Sequence, residues 1–336
     1  MTLSKTVYLL ILLIFSSIPI AQAASERDLI IQKEMDSVSA QVQIVNKQMD
    51  QVQGVITPQN LTPQDVQTES PQIIRKKPKW IYEIAPEVSS IRYHEHALMK
   101  ETGVMFGSSG SFTYRPSVGD ELYSKLTDMY RFEGMFTYGK VDYKGGIQHS
   151  NGSITPERHN GIDDYMVEIR GLIGKDFNFN NQSTLLTPYY GGGYRSLFDT
   201  FYENKPFGYN RRIQYLYFPT GVEVVTQLHD GWSIGADAEY DFFIRGFVNS
   251  YLGEIGYGDI QNTQKGGYGL RGSIKLIKNS DRYNLYLEPF FRYWNIHASR
   301  IDESTPFTIA GQQFVLLGQE PHNTSLEIGT KVGIEF

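Results

Sequence analysis

From Gly231 to Arg245 the chain alternates without a break. Trp232, Ile234, Ala236, Ala238, Tyr240, Phe242 and Ile244 share one parity; Ser233, Gly235, Asp237, Glu239, Asp241, Phe243 and Arg245 share the other. Successive side chains of a strand point to opposite faces, so this segment, when extended, carries one wholly apolar face and one largely charged face. The same parity returns near the end, where Leu326, Ile328, Val332, Ile334 and Phe336 alternate with Ser325, Glu327, Gly329, Lys331, Gly333 and Glu335. A fold must therefore supply an apolar surrounding for one side of each strand and a polar one for the other. Composition fits this demand, with 32 Gly, 23 Tyr, 19 Phe and 3 Trp in 336 residues. Mean hydropathy is −0.35 and no second long apolar run follows the first, which argues against a helical membrane bundle. The absence of cysteine removes disulfides, zinc-finger spacings and thiol nucleophiles. A net charge of −6 gives no case for a nucleic-acid partner.

Period two persists from residue 80 to 336. It predicts strands at 80–93, 103–115, 129–143, 162–177, 185–201, 211–226, 232–245, 265–277, 283–297 and 323–336. Ten is an even number, as an antiparallel barrel with both ends on one side requires. Pro86, Pro188, Pro219 and Pro289 fall inside these strands, where each removes a ladder donor; they are expected to mark bulges, and they leave eight or twelve strands open. Strands of ~15 residues, rising ~3.3 Å each and tilted ~45°, span ~35 Å, more than a ~25 Å apolar band. Long connections at 144–161, 246–264 and 298–322 are expected at one end.

Three segments precede the strands. Residues 1–23 read as a signal peptide, with Lys5, an apolar stretch from Val7 to Phe15, and Ala21-Gln22-Ala23 before the cleavage site. In residues 24–53, Ile31, Met35, Val38, Val42, Val45, Met49 and Val52 recur in steps of four and three, the seam of an α-helical coiled-coil arm. That stripe, within 26–53, calls for a cover: another copy, an envelope partner or the body of the chain, with a lone amphipathic helix as the remaining alternative. Residues 54–79 hold Pro58, Pro63, Pro71 and Pro78 among Gln and Thr and read as a linker.

Phe336, with Ile334 and Val332 at alternate positions before it, resembles the C-terminal insertion signal of Gram-negative outer-membrane β-barrels. With the signal peptide and the alternating strands, the resemblance covers everything except residues 24–79. It implies an all-β, antiparallel transmembrane barrel in the outer membrane, preceded by a periplasmic helical arm. It also implies contact with outer-membrane lipid and with the barrel-insertion machinery. The size is similar to that of ten-stranded surface proteases of the omptin type, which use paired acids and an Asp and His pair. Here Asp163 and Asp164 stand near His149 and His159, but no Asp-x-His pair appears on the facing strands. A surface protease or lipid hydrolase is kept as the alternative to a non-enzymatic barrel.

The inward parity should carry Glu87, Glu168, Arg170, Arg195, Asp237, Glu239, Asp241, Arg271, Lys275, Glu288, Arg292, Glu327 and Lys331, with Glu83, Arg131, Glu133 and Glu223 alongside. Both signs are mixed, so two outcomes are open: an ionic core that fills the lumen, or a narrow water-filled pore. Several motifs lead elsewhere only as letters. Gly267-x-Gly269-x-x-Gly272 opens no helix, and Gly191-Gly192-Gly193 lies among wall tyrosines. His94-x-His96 lacks further ligand spacing, and His297 with Ser299 lacks a third member. No cofactor, metal or catalytic set is expected, and the function read from the sequence is a structural, interaction or narrow-pore role.

Overall fold

The computed structural model describes residues 80–95, 98–116, 127–148, 154–180, 183–201 and 208–336. The signal peptide, the coiled-coil seam and the linker lie outside the described residues. Ten long strands form the body: β1 (Trp80–Glu95), β2 (Met99–Tyr114), β3 (Met129–Gln148), β4 (Ile154–Gly174), β5 (Thr184–Thr200), β6 (Arg211–Gln227), β7 (Trp232–Ser250), β8 (Gly267–Lys278), β9 (Asn284–Ile296) and β10 (Asn323–Glu335). Each pairs antiparallel with its neighbours in the chain, and β10 pairs with β1, so the sheet closes. Two short strands extend it, Phe177–Phe179 against β5 and Ile260–Gln264 against the far part of β7. Closure leaves the ten staves without a free edge.

Trp80 and Phe336 share one end, where Phe336 N–H donates to the Tyr82 carbonyl at 2.9 Å. The opposite end, here the loop end, carries the longer connections. Outward positions make an apolar band: Ile84 and Val88 on β1, Phe106 on β2, Phe136 on β3, Ile169 on β4, Phe242 and Ile244 on β7, Ile274 on β8, Phe291 on β9 and Ile328 on β10 are all exposed. Val332 and Phe336 belong to this band too, with 56% and 57% of their surface exposed, and Ile334 stands opposite Ile84 and Leu285. Exposed apolar area on this scale requires a nonaqueous surrounding.

Two expectations are corrected. None of the four prolines makes a bulge. Pairing of β1 with β10 lapses at Ala85 and Pro86 and resumes at Glu87 in the same frame, and Pro289 behaves likewise toward β8. Pro219 interrupts the pairing with β5, and Pro188 lies just past the end of the β4 pairing. One missing donor leaves a gap in one ladder without shifting the frame. The register shifts instead between Val141 and Tyr143, opposite the Gly161 region of β4, and between Leu216 and Tyr217, opposite Ile244. The expected loop at 144–161 is mostly strand, since β3 runs to Gln148 and β4 starts at Ile154. The staves therefore continue past the apolar band at the loop end. There the connection 297–322 folds into two small ribbons, Ile301–Glu303 with Leu317–Gln319 and Phe307–Ile309 with Gln312–Phe314.

Glycine fixes one interior contact. A Cβ on Gly193 would overlap the Tyr217 ring, whose hydroxyl is bonded to Glu168 and Arg271, whereas Gly192 faces outward with nothing within 4 Å. Gly193→Ala should therefore destabilise the barrel by ~1–3 kcal/mol through overpacking while Gly192→Ala stays near neutral; reversible urea unfolding in detergent or vesicles would show the difference, and equal midpoints would contradict it.

Candidate functional site

The inward faces of the staves are the one surface on which polar chemistry is concentrated away from bulk water. In sequence order along each stave the lumen falls into three levels.

The middle level is ionic. Arg271 on β8 reaches across to β4, where Nη1 and Nη2 donate to Glu168 at 2.7 and 2.5 Å, while its Nε donates to Asp241 on β7 at 2.7 Å. The Tyr217 hydroxyl from β6 donates to Glu168 at 2.7 Å and accepts from Arg271 at 3.0 Å. Arg170 grips both oxygens of Glu239 at 2.9 and 2.7 Å and stands 3.0 Å from Glu133. The Tyr189 hydroxyl lies 2.8 Å from Asp237 and from Glu239. Bidentate geometry of this kind is the strong form of the guanidinium–carboxylate contact. Arg292 on β9 donates at 3.2 Å to Glu87 and to Glu327, and Ser89 donates to Glu327 at 2.6 Å. Toward the terminal end follow Arg131 with Glu223 at 2.7 Å, Lys275 with Glu83 at 2.7 Å, and Lys331 with Glu288 at 3.2 Å. These last groups surround a cavity of about 140 Å³.

Arg195 stands apart from this set. Its Nε donates to the Met166 sulfur at 3.1 Å and its guanidinium lies over Tyr215 and Trp294, 5.7 and 6.0 Å from the ring centres. It joins the ionic level to the next one, an apolar level of Met105, Met166, Ile213, Tyr215, Trp294 and Ile296, all buried. Trp294 is 1% exposed, and Tyr217 meets it edge-on with ring centres 5.0 Å apart. Dispersion contacts and the exclusion of water at this level raise the strength of the ion pairs beneath it.

The third level, at the loop end, was not legible from alternation alone. Arg211 Nη2 donates to Glu95 at 2.9 Å and to both oxygens of Glu320, at 2.9 and 3.0 Å, and Tyr93 reaches the same two acids at 3.1 and 3.2 Å. Glu320 belongs to the connection 297–322, so this cluster fastens a loop into the mouth. Burial, with the Glu95 charge beside it, raises the Glu320 carboxyl to about 7 although Arg211 pulls it down. Glu101, Asp164 and Asp199 are also buried here, each with one oxygen lacking a hydrogen-bond partner.

The other candidates are dispersed. Asp163 points outward and binds Lys140 Nζ at 2.6 Å and the Tyr138 hydroxyl at 2.5 Å, while Asp164, one residue on, is buried in the lumen; period two separates the pair. His159 Nε2 lies 3.3 Å from Glu157, and His149 and His96 lie outside the described residues. Ser299 donates to the Arg300 carbonyl, and the His297 ring packs edge-on to His322. Gly267, Gly269 and Gly272 lie within β8 and open no helix. Among the described residues no cluster of His, Asp and Glu has the arrangement of a metal site.

No protein-family model matches the chain, and no curated protein matches it. Solved structures do. The outer membrane protease OmpT of Escherichia coli superposes with a TM-score of 0.50 at 11% identity, covering 76% of this chain and 96% of that one. A major outer membrane protein of Thermus thermophilus covers 76% of this chain and 99% of its own at 10% identity and a TM-score of 0.32. The translocator domain of the autotransporter NalP of Neisseria meningitidis covers 88% and 96% at 9% identity and a TM-score of 0.30. At 11% identity the likeness to OmpT concerns the backbone, and with the closed sheet and its apolar outer band it gives the chain the fold of a ten-stranded outer-membrane β-barrel.

Proposed function

We propose that the protein is a solute-tight outer-membrane barrel with a structural or interaction role, whose staves hold an ordered platform outside the cell. One observation carries this reading: the lumen is crossed by the Arg271–Glu168 bridge and is filled just above it by the Trp294, Tyr215, Tyr217 and Met166 level. A barrel of this size is filled by its own side chains, and wide channels need ~16 strands. Trp80 and Phe336 then face the periplasm and the 297–322 connection faces outward. The reading includes no hydrolysis, since the acids of the protease-like pair point to opposite faces of β4. The helical arm of residues 26–53 supplies a periplasmic contact, most simply with a second copy through the Met35, Val42 and Met49 seam.

Planar-bilayer recording is the direct test: folded, inserted protein should show no openings under applied voltage, and steady unitary currents would overturn the closed reading. For the arm, sedimentation of a peptide of residues 24–79 should reveal dimers or larger species, and a monomer at high concentration would count against self-association. The mouth cluster gives a pH dependence. Glu320 titrates higher in the folded state than in the unfolded chain, so the folded state binds the extra proton between about 4.5 and about 7, and stability falls as pH rises through that window. Protection of the 297–322 connection against proteolysis should therefore weaken from pH 5 to pH 8, and Glu320→Gln should flatten the trend.

A further inference from the structure

The ribbon within the 297–322 connection is uncharged over its whole upper part. Residues 305–319 contain no Asp, Glu, Lys or Arg, in a chain that is 20% charged. Phe307 pairs with Phe314, Thr308 with Gln313 and Ile309 with Gln312. Directly paired residues share a face, and the next pair takes the other. Phe307, Ile309 and Phe314 therefore line one side of the hairpin. Ile309, Phe314, Val315 and Leu317 keep between 43% and 69% of their surface exposed.

The base of this ribbon is anchored. Thr305 N–H donates to the Asp259 carbonyl at 2.9 Å, and Asn262 Nδ2 donates to the Gly318 carbonyl at 3.0 Å. The Phe307 ring meets Tyr257 edge-on with centres 5.4 Å apart, and Glu320 fastens the returning strand to Arg211. From Phe307 the hairpin runs three residues further to its turn, ~10 Å of strand.

The turn carries an unexpected residue. Ala310 and Gly311 have φ of +50° and +83°, the left-handed pair that a two-residue hairpin turn needs. At the terminal end, the connection between β6 and β7 meets the same need with Asp230 and Gly231, at +59° and +72°. Asn, Asp or Gly is favoured at the first of these positions. Alanine is strained there, because its Cβ crowds the backbone and it has no polar side chain to offset the cost. Folding alone would select a polar residue at this tip.

We infer that the ribbon tip, with Ile309, Ala310, Phe314 and Val315, inserts into the interfacial layer of a lipid bilayer apposed to the outer face of the barrel. A projection of ~10 Å matches the ~5–10 Å depth of the headgroup and acyl boundary. The missing charge removes the desolvation cost that would oppose entry. Headgroup water reaches the ribbon's outer edges at that depth, and the paired inner backbone groups need none. A protein partner would call for a polar rim around the apolar contact, and residues 305–319 offer no charge for one. The outward position of the ribbon rests on the function proposed above.

The test uses the full chain in phosphatidylcholine nanodiscs, mixed with phosphatidylcholine vesicles and separated by flotation. The wild type should float with the vesicles. Ile309→Asp/Phe314→Asp should weaken the partition roughly tenfold or more, the loss of two apolar anchors. Ala310→Asn should weaken it as well, while leaving the ribbon as resistant to proteolysis as before or more so. Leu228→Ser, which alters an exposed apolar residue at the terminal end, should float like the wild type. A wild type that does not float, or ribbon variants that float equally, would overturn the inference. Pairing of wild-type nanodiscs in sedimentation without vesicles, abolished by Ile309→Asp/Phe314→Asp, would make the occupant a second copy and overturn the lipid reading. Orientation is tested separately by proteolysis of intact cells: cleavage within 297–322 upholds the outward placement whatever flotation shows, and neither result bears on conductance.

Discussion

The Arg271 guanidinium is the hub on which the interior depends. Backbone groups of the staves are consumed by the closed ladder, so inward side chains must satisfy one another, between adjacent staves or across the lumen. Arg271 does this for three staves at once, binding Glu168 on β4, Asp241 on β7 and Tyr217 on β6. Glu168 and Asp241 are 4% and 0% exposed, and a buried carboxylate that loses its cation costs several kcal/mol. The pairs Arg170–Glu239 and Arg131–Glu223 repeat the arrangement, each linking staves that are not neighbours in the sheet. These bridges fix the lumen's cross-section in a way that the ladder, which only joins neighbours, cannot.

Alternation made the wall legible and left the partners hidden. Parity alone assigned Glu87, Glu168, Asp241 and Arg271 to one face, because a one-residue error would have put charge into the apolar band. It could not pair β8 with β4, since which levels meet depends on stave tilt and stagger that no single strand encodes. Arg195 shows the limit: its parity matches the other charges, yet it sits where Tyr215 and Trp294 offer ring faces instead of a carboxylate. Polarity misled at the loop end. Past the band, Lys144 and Gly145 or Arg158 and Glu157 are polar or small on both faces, so the hydrophobic period vanishes while the ladder continues. The prolines misled in the opposite sense, because one absent donor leaves the frame of a long, doubly paired strand intact.

The order of the levels follows from the same constraint. An ionic level in contact with water at both ends would be screened and weakened. Here the aromatic level lies on the loop side of Arg271, and the mouth cluster around Arg211 pins residue Glu320 over it. The small cavity lies on the terminal side, bordered by Glu83, Arg131, Glu223 and Lys275, and extends as far as the Arg271–Glu168 bridge.

A lumen this full commits its polar groups to one another. Inward carboxylates outnumber inward guanidiniums, so Arg170, Arg271 and Arg292 each serve more than one acid, and the surplus is largest at the mouth. At the mouth the excess is acidic, with Glu101, Asp164 and Asp199 buried beside a single arginine already shared by Glu95 and Glu320. Burial raises all three of these carboxyls, so the mouth tolerates them without three further cations because they do not carry full negative charge there.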